Sequence, residues 1–149
     1  MAREIETEII IHASARLVWQ VLTDLEKYRE WNPLIRDARG ELVEGALIDV
    51  YITPPQLARR NGTVEILKVD TERELHWLGK VLCRGILDGD HQFILEPMGA
   101  GSVRVFQRER FAGVLVPLVA RWLIPNMRRG FEELNEALRV RVASLATSP

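Results

Sequence analysis

Ser102-Val103-Arg104-Val105-Phe106-Gln107-Arg108-Glu109-Arg110-Phe111, followed three residues later by an apolar-striped segment from 115 to about 144, is the stretch whose reading decides the fold. In its first part Val103, Val105, Gln107, Glu109 and Phe111 share one face, and Arg104, Phe106, Arg108 and Arg110 the other. This is the two-residue period of a half-buried strand. The apolar members turn the first face inward, so Gln107 and Glu109 become polar residues aimed at the interior. In the second part Val116, Ala120, Leu123, Met127, Phe131, Leu134 and Leu138 fall in one stripe at 3.6-residue spacing, which predicts a single long helix. Pro117 suits the first turn, where its missing N–H is not needed, whereas Pro125 lies inside and is expected to kink or locally break the helix.

Working outward, residues 4–11 alternate charged and β-branched side chains and read as the first strand. Ser14 is placed to cap a helix carrying Leu17, Val18, Val21 and Leu22 at helical spacing. A second short helix follows, with Thr23 or Asp24 as cap and Leu25, Tyr28 and Trp31 on one side, ending at Asn32 because Pro33 disfavours a helical residue before it. Six further strands are expected over 37–43, 47–53, 60–69, 74–78, 85–96 and 102–111, with Asp88-Gly89 as either a turn or a bulge and Met98-Gly99-Ala100-Gly101 as a turn. Seven antiparallel strands and one long helix on the concave face make an α+β helix-grip arrangement.

The chain has 149 residues, 47% hydrophobic and 28% charged, with a net charge of −1, which suits one domain over 1–145 and a loose tail over 146–149. Its one cysteine, Cys83, excludes an internal disulfide framework and a zinc site of several thiolates. Balanced charge argues against a nucleic-acid partner, which needs an excess of Lys and Arg to neutralise phosphates. The charged N-terminus shows no apolar leader, and the apolar-rich stretch 111–125 carries Arg121 and two prolines and falls short of a span, so a cytoplasmic protein is expected. His12, His76 and His91 lie on different strands without ligand spacing, with His12 and His76 expected toward solvent; no metal and no cofactor is expected.

Several landmarks carry a family resemblance. They are Ala13-Ser14-Ala15-Arg16-Leu17-Val18-Trp19, Tyr28-x-x-Trp31-Asn32-Pro33, Glu74-Leu75-His76-Trp77 and His91-Gln92-Phe93-Ile94-Leu95-Glu96-Pro97, then Gly101-Ser102-Val103-Arg104 and Glu109-Arg110-Phe111-Ala112-Gly113. Arg129-Gly130-Phe131-Glu132-Glu133-Leu134-Asn135-Glu136-Ala137-Leu138 closes the series. In this order they span nearly the whole chain, which resembles the START-like superfamily, also called the SRPBCC or Bet v 1-like group, and especially its bacterial polyketide cyclase/dehydrase-type members. The resemblance implies an apolar cavity between sheet and long helix that holds lipids, quinones, polyketides or other hydrophobic molecules. It does not imply one reaction.

Strand alternation and the helix stripe place Trp77, Phe93, Val105, Gln107, Glu109, Phe111, Leu123, Met127 and Phe131 toward such a cavity. Glu109 is the sharpest candidate for chemistry, because a buried carboxylate must be paired or protonated; His91 could supply a complementary imidazole. The plain structural role for Glu109 is a pair with an arginine or a turn cap at the sheet edge. The leading expectation is a binding or carrier domain for a hydrophobic small molecule. The alternatives are a cyclase, aromatase or dehydratase using Glu109 and His91 as general acid and base, and a co-chaperone-like or toxin-like module that binds protein. Leu115, Leu118 and Trp122 point away from the main helical stripe and suggest a homodimer contact or peripheral membrane contact, unless the loop after Tyr51 covers them. The mixed neighbouring charges favour the dimer.

Overall fold

The computed structural model describes residues 3–81, 83–99 and 101–146. Strand β1 (Arg3–Ile11) leads to helix α1 (Ala15–Thr23), a single 3₁₀ turn (Leu25–Lys27) and the short α2 (Tyr28–Trp31). Six strands follow, β2 (Ile35–Arg39), β3 (Leu47–Ile52), β4 (Arg60–Asp70), β5 (Glu74–Val81), β6 (Leu87–Pro97) and β7 (Val103–Ala112), before helix α3 (Val116–Ala146). All seven strands form one antiparallel sheet in the order β1-β7-β6-β5-β4-β3-β2, so the first strand pairs with the last. The helix-grip arrangement expected from periodicity is the one found.

Local chemistry sets the element ends. The Ser14 hydroxyl accepts from the Leu17 amide at 3.1 Å and starts α1. Asn32 Oδ1 accepts from the amides of Leu34 (3.0 Å) and Ile35 (2.8 Å), turning the chain at Pro33 and starting β2 two residues earlier than the sequence pattern suggests. The strand then stops at Arg39, before Gly40 at φ 140°, where a side chain would run into Ile48; the expected extension to 43 is a loop. Asp88-Gly89 is neither turn nor bulge. Both residues pair in register with Lys80 and Gly79 on one side and with Ala112 and Phe111 on the other. The turn lies one step earlier: the Asp88 carboxylate accepts from the Gly85 amide at 3.0 Å, and β5 therefore runs on to Val81 instead of ending at 78. The bulges sit elsewhere, between Ile35 and Asp37 and between Ile66 and Lys68, where they add local twist to the sheet.

Helix α3 continues through Pro125 as one element of 31 residues, about 46 Å long. In the turn that the proline deprives of an amide, Asn126 Nδ2 donates to the Trp122 carbonyl at 2.8 Å. Its second half is anchored by Phe131, Leu134, Leu138 and Val142, all buried against the sheet and α1. A polar network is buried with them. Gln107 Nε2 donates to the Phe131 carbonyl (3.0 Å) and to Asn135 Oδ1 (2.6 Å), and Asn135 Nδ2 donates to Thr7 Oγ1 (3.0 Å), tying β7, α3 and β1 together. Ala146, the first residue of the expected tail, is still helical; residues 147–149, like Ala100 of the expected 98–101 turn, lie outside the described residues.

The loop after Tyr51 does not cover the start of α3. It packs instead toward the middle of the helix, where Gly130 leaves room for Leu34 and Pro55, so Leu118 and Trp122 stay exposed. Among the described residues no helix is long and apolar enough to cross a membrane.

Two outcomes follow from the buried polar groups. Gln107→Leu removes the donor to Asn135 Oδ1 and leaves that oxygen buried without it, so urea unfolding should show a loss of about 1–3 kcal/mol. Tyr28 is fully buried, its hydroxyl donates to the Leu22 carbonyl, and burial pushes its phenol pKa up. Above about pH 10 the unfolded chain releases this proton and the folded one keeps it, so stability falls as pH rises through that range. Tyr28→Phe costs about 1 kcal/mol at neutral pH, and its stability gap from the wild type should narrow in alkaline solution.

Candidate functional site

Between the inner face of β3–β6 and the first half of α3 lies a cavity of about 330 Å³. Its existence follows from missing side chains. Gly62, Gly79 and Gly89 occupy inward positions on three neighbouring strands and all line the cavity. A Cβ at Gly62 would meet nothing closer than Val50 at 3.8 Å, and one at Gly79 nothing closer than Val64 at 3.5 Å. At Gly89 the space is taken by Glu109, whose Oε1 would lie 3.3 Å from the added carbon. Glycine inside a strand weakens it and marks a place where something approaches the backbone closely. Here the thing brought close is a carboxylate at one position and open space at two.

Helix α3 bridges this gap. Val116 and Ala120 are buried before it and Phe131 after it, whereas Leu123 and Met127 between them are only partly buried and face the cavity. Leu34, Ile35, Pro54, Leu57 and Ala58 close the far side.

The floor carries the chemistry. His91 and Glu109 are directly opposite each other on β6 and β7, and His91 Nδ1 lies 3.1 Å from Glu109 Oε1. The partner of Glu109 is therefore a histidine; the arginines of β7 project from the outer face, where Arg108 pairs with Glu6 and Arg104 with Glu8. The imidazole stacks on Trp77 with ring centroids 5.4 Å apart and 17° between planes, and it meets Phe93 and Phe131 edge-on or tilted at 4.6 and 5.0 Å. Three rings and a carboxylate thus fix one orientation. Among the described residues, Glu109 Oε2 accepts no hydrogen bond and the buried His91 Nε2 has no partner. With a neutral imidazole donating from Nδ1, Nε2 is a bare acceptor; with an imidazolium it is a bare donor. In either state the floor presents unpartnered polar atoms in apolar surroundings.

Of the residues expected at a cavity, Trp77, His91, Glu109, Phe111, Leu123, Met127 and Phe131 are brought together around it. Phe93, Val105 and Gln107 are not. Phe93 and Val105 are fully buried in packed core, and Gln107 is engaged with α3. Alternation fixes which face a residue is on, but not how far along that face the cavity extends. Strand alternation does not mark Gly62 or Gly89 as cavity positions, Gly89 reading as part of a turn or bulge; the signal for both is a glycine inside a strand pattern. His76 lies on the outer face between Asp90 and Glu74, its side chain 20% exposed, and His12 bonds Ser102. Among the described residues no group of three or more His, Cys, Asp or Glu side chains is placed to hold a metal ion.

No curated protein matches this sequence. Among solved structures the chain is similar to the Zhui aromatase/cyclase from Streptomyces sp. R1128, at 15% identity and a TM-score of 0.80, covering 99% of this chain and 98% of that one. It is also similar to a norcoclaurine synthase from Thalictrum flavum, at 14% identity and a TM-score of 0.77, covering 99% and 98%. A START superfamily protein from Mycobacterium smegmatis gives 16% identity and a TM-score of 0.74, covering 95% and 98%. Likeness at this level of identity is a likeness of fold. A family model described as polyketide cyclase/dehydrase and lipid transport matches residues 2–139. With the sheet, the bridging helix and the match agreeing over nearly its whole length, the chain belongs to that polyketide cyclase/dehydrase and lipid transport family.

Proposed function

We propose that this domain binds a hydrophobic small molecule, of lipid, quinone or polyketide-like character, in the cavity between sheet and α3. The observation that carries this reading is a space left open by Gly62 and Gly79, walled by apolar side chains and ending on the Glu109–His91 pair. Its volume lies in the range of small-molecule sites, and its balance of many apolar groups with a few polar ones suits a ligand held by burial and oriented by one hydrogen bond. Glu109 Oε2 accepts that bond from a ligand hydroxyl. The family's description, cyclase/dehydrase and lipid transport, supports the same ligand class. A partner for Leu115, Leu118 and Trp122, a second copy or a lipid surface, is a separate proposal that rests on the exposure of Leu118 and Trp122.

A second reading rests on the unpartnered His91 Nε2. In a cyclase or dehydratase, Nε2 takes a proton from carbon next to a ligand carbonyl while Glu109 Oε1 stabilises the imidazolium through Nδ1. The imidazolium then returns that proton to a hydroxyl as its C–O bond breaks, and water leaves.

Two experiments test these readings. Gly79→Val fills the space with little contact to resist it, so the fold should persist by circular dichroism while affinity for naphthol, read by Trp77 fluorescence, falls at least ~10-fold. Unchanged naphthol binding in this variant sinks the cavity reading. Wild-type protein should prefer naphthol over its methyl ether by ~10-fold or more, because the ether leaves Glu109 Oε2 unpaired. Glu109→Gln should leave the ether's affinity within ~3-fold. It should also lower dehydration of a β-hydroxy ketone by ~100-fold or more if the pair is catalytic, whereas undetectable turnover in both proteins leaves a binding domain.

A further inference from the structure

Leu118 and Trp122, 67 and 58% exposed and four residues apart, share one outer face of α3 just before the turns that line the cavity, and Val114, 70% exposed, lies in the turn that leads into the helix. The charges around this end are predominantly basic, where the neighbouring sequence suggests a mixture. The three segments that meet here, 54–63, 83–87 and 113–127, carry Arg59, Arg60, Arg84 and Arg121 and not one Asp or Glu, in a chain with 21 acidic residues and a net charge of −1. Their proximity is fixed by the backbone: the Val114 amide donates to the Gly85 carbonyl at 2.9 Å and the Leu115 amide to Ile86 at 3.0 Å, while Arg60 shares the cavity wall with Leu123 and Met127. Asp88, which follows the second segment, accepts from the Gly85 amide at 3.0 Å. Arg121 lies over the Trp122 ring, its guanidinium carbon 5.4 Å from the centroid, which keeps cation and indole at the same level.

We propose that this end of the molecule docks on the surface of an anionic phospholipid bilayer, with the stripe entering the headgroup boundary and the arginines meeting lipid phosphates. Trp and Leu beside Arg, with acid excluded, match an interface whose inner part is apolar and whose outer part is negative. A second copy of the chain fits less well. A two-fold contact through this face would bring like-charged arginines together. The docking goes beyond ligand binding and does not depend on it, although it sets the cavity roof against the phase in which a hydrophobic ligand dissolves.

The test is flotation of the full chain with phosphatidylcholine vesicles prepared with and without phosphatidylglycerol, at low and high salt, together with its mass in solution. The expected result is binding at least ~10-fold tighter to the anionic vesicles, weakened by salt, with a blue shift of tryptophan emission. Leu118→Glu with Trp122→Glu should abolish it, and Arg84→Glu with Arg121→Glu should remove the preference for anionic lipid. Naphthol affinity of the first pair in the absence of vesicles should stay within ~3-fold of wild type, so a failure at this surface is distinguishable from a failure of the cavity reading. Equal or absent binding to both vesicles overturns the proposal. So does a dimer that the Leu118 and Trp122 substitutions split while vesicles capture nothing, which assigns the stripe to a second copy.

Discussion

Gln107 is the residue on which the arrangement turns. Its amide reaches out of β7 to a carbonyl and a side chain of α3, and Asn135 passes the connection on to Thr7 of β1. Buried hydrogen bonds of this kind add only modest net stability, but leaving them unmade is costly, so they fix the height and rotation of the helix against the sheet. Leu134, Leu138 and Val142 are fully buried on one side of that fixed point. On the other side the helix keeps its course over strands that have lost three inward side chains, and the space beneath cannot close by collapse. The cavity is thus a consequence of two things together: a helix held in register by a polar clamp, and glycines at 62, 79 and 89.

The same clamp accounts for the contrast between the two interior polar residues of β7. Gln107 and Glu109 are neighbours on one face, two residues apart, yet one is consumed by structure and the other is directed at open space. Glu109 is sustainable there because His91 supplies a donor at Nδ1 and because Gly89 leaves room for the carboxylate. Such a site is preorganised: the ring cannot rotate among Trp77, Phe93 and Phe131 without breaking three contacts. A ligand that supplies the missing partners completes the hydrogen bonding that folding leaves unfinished.

The fold was legible because its signals are local and repeated. Alternation in β7, the stripe in α3, the Ser14 cap and the Asn32-Pro33 turn each report on a few adjacent residues, and they agree with one another. Where the reading slipped, a side chain acted at a distance along the chain. Asp88 looked like half of a turn dipeptide and proved to be the anchor of a turn three residues earlier, and Asn32 drew the start of β2 back by bonding two amides. The site was partly legible: Glu109 and His91 stood out as polar residues on an inward face, but their pairing depends on the register of β6 against β7.

Order of residues alone therefore determined the class of fold, the inward face of β5, β6 and β7 and the presence of an interior carboxylate, since these follow from two-residue and 3.6-residue periods and the cost of burying charge. Tertiary structure decided the rest. It chose histidine over arginine as the partner of Glu109, because the arginines of β7 stand on the opposite face. It separated Phe93 and Val105, which fill space, from Trp77 and Phe111, which border it. It also brought Arg84 to the start of the helix that carries Arg121 and the exposed apolar stripe, since only long-range packing brings residues so far apart in sequence to the same end of a molecule.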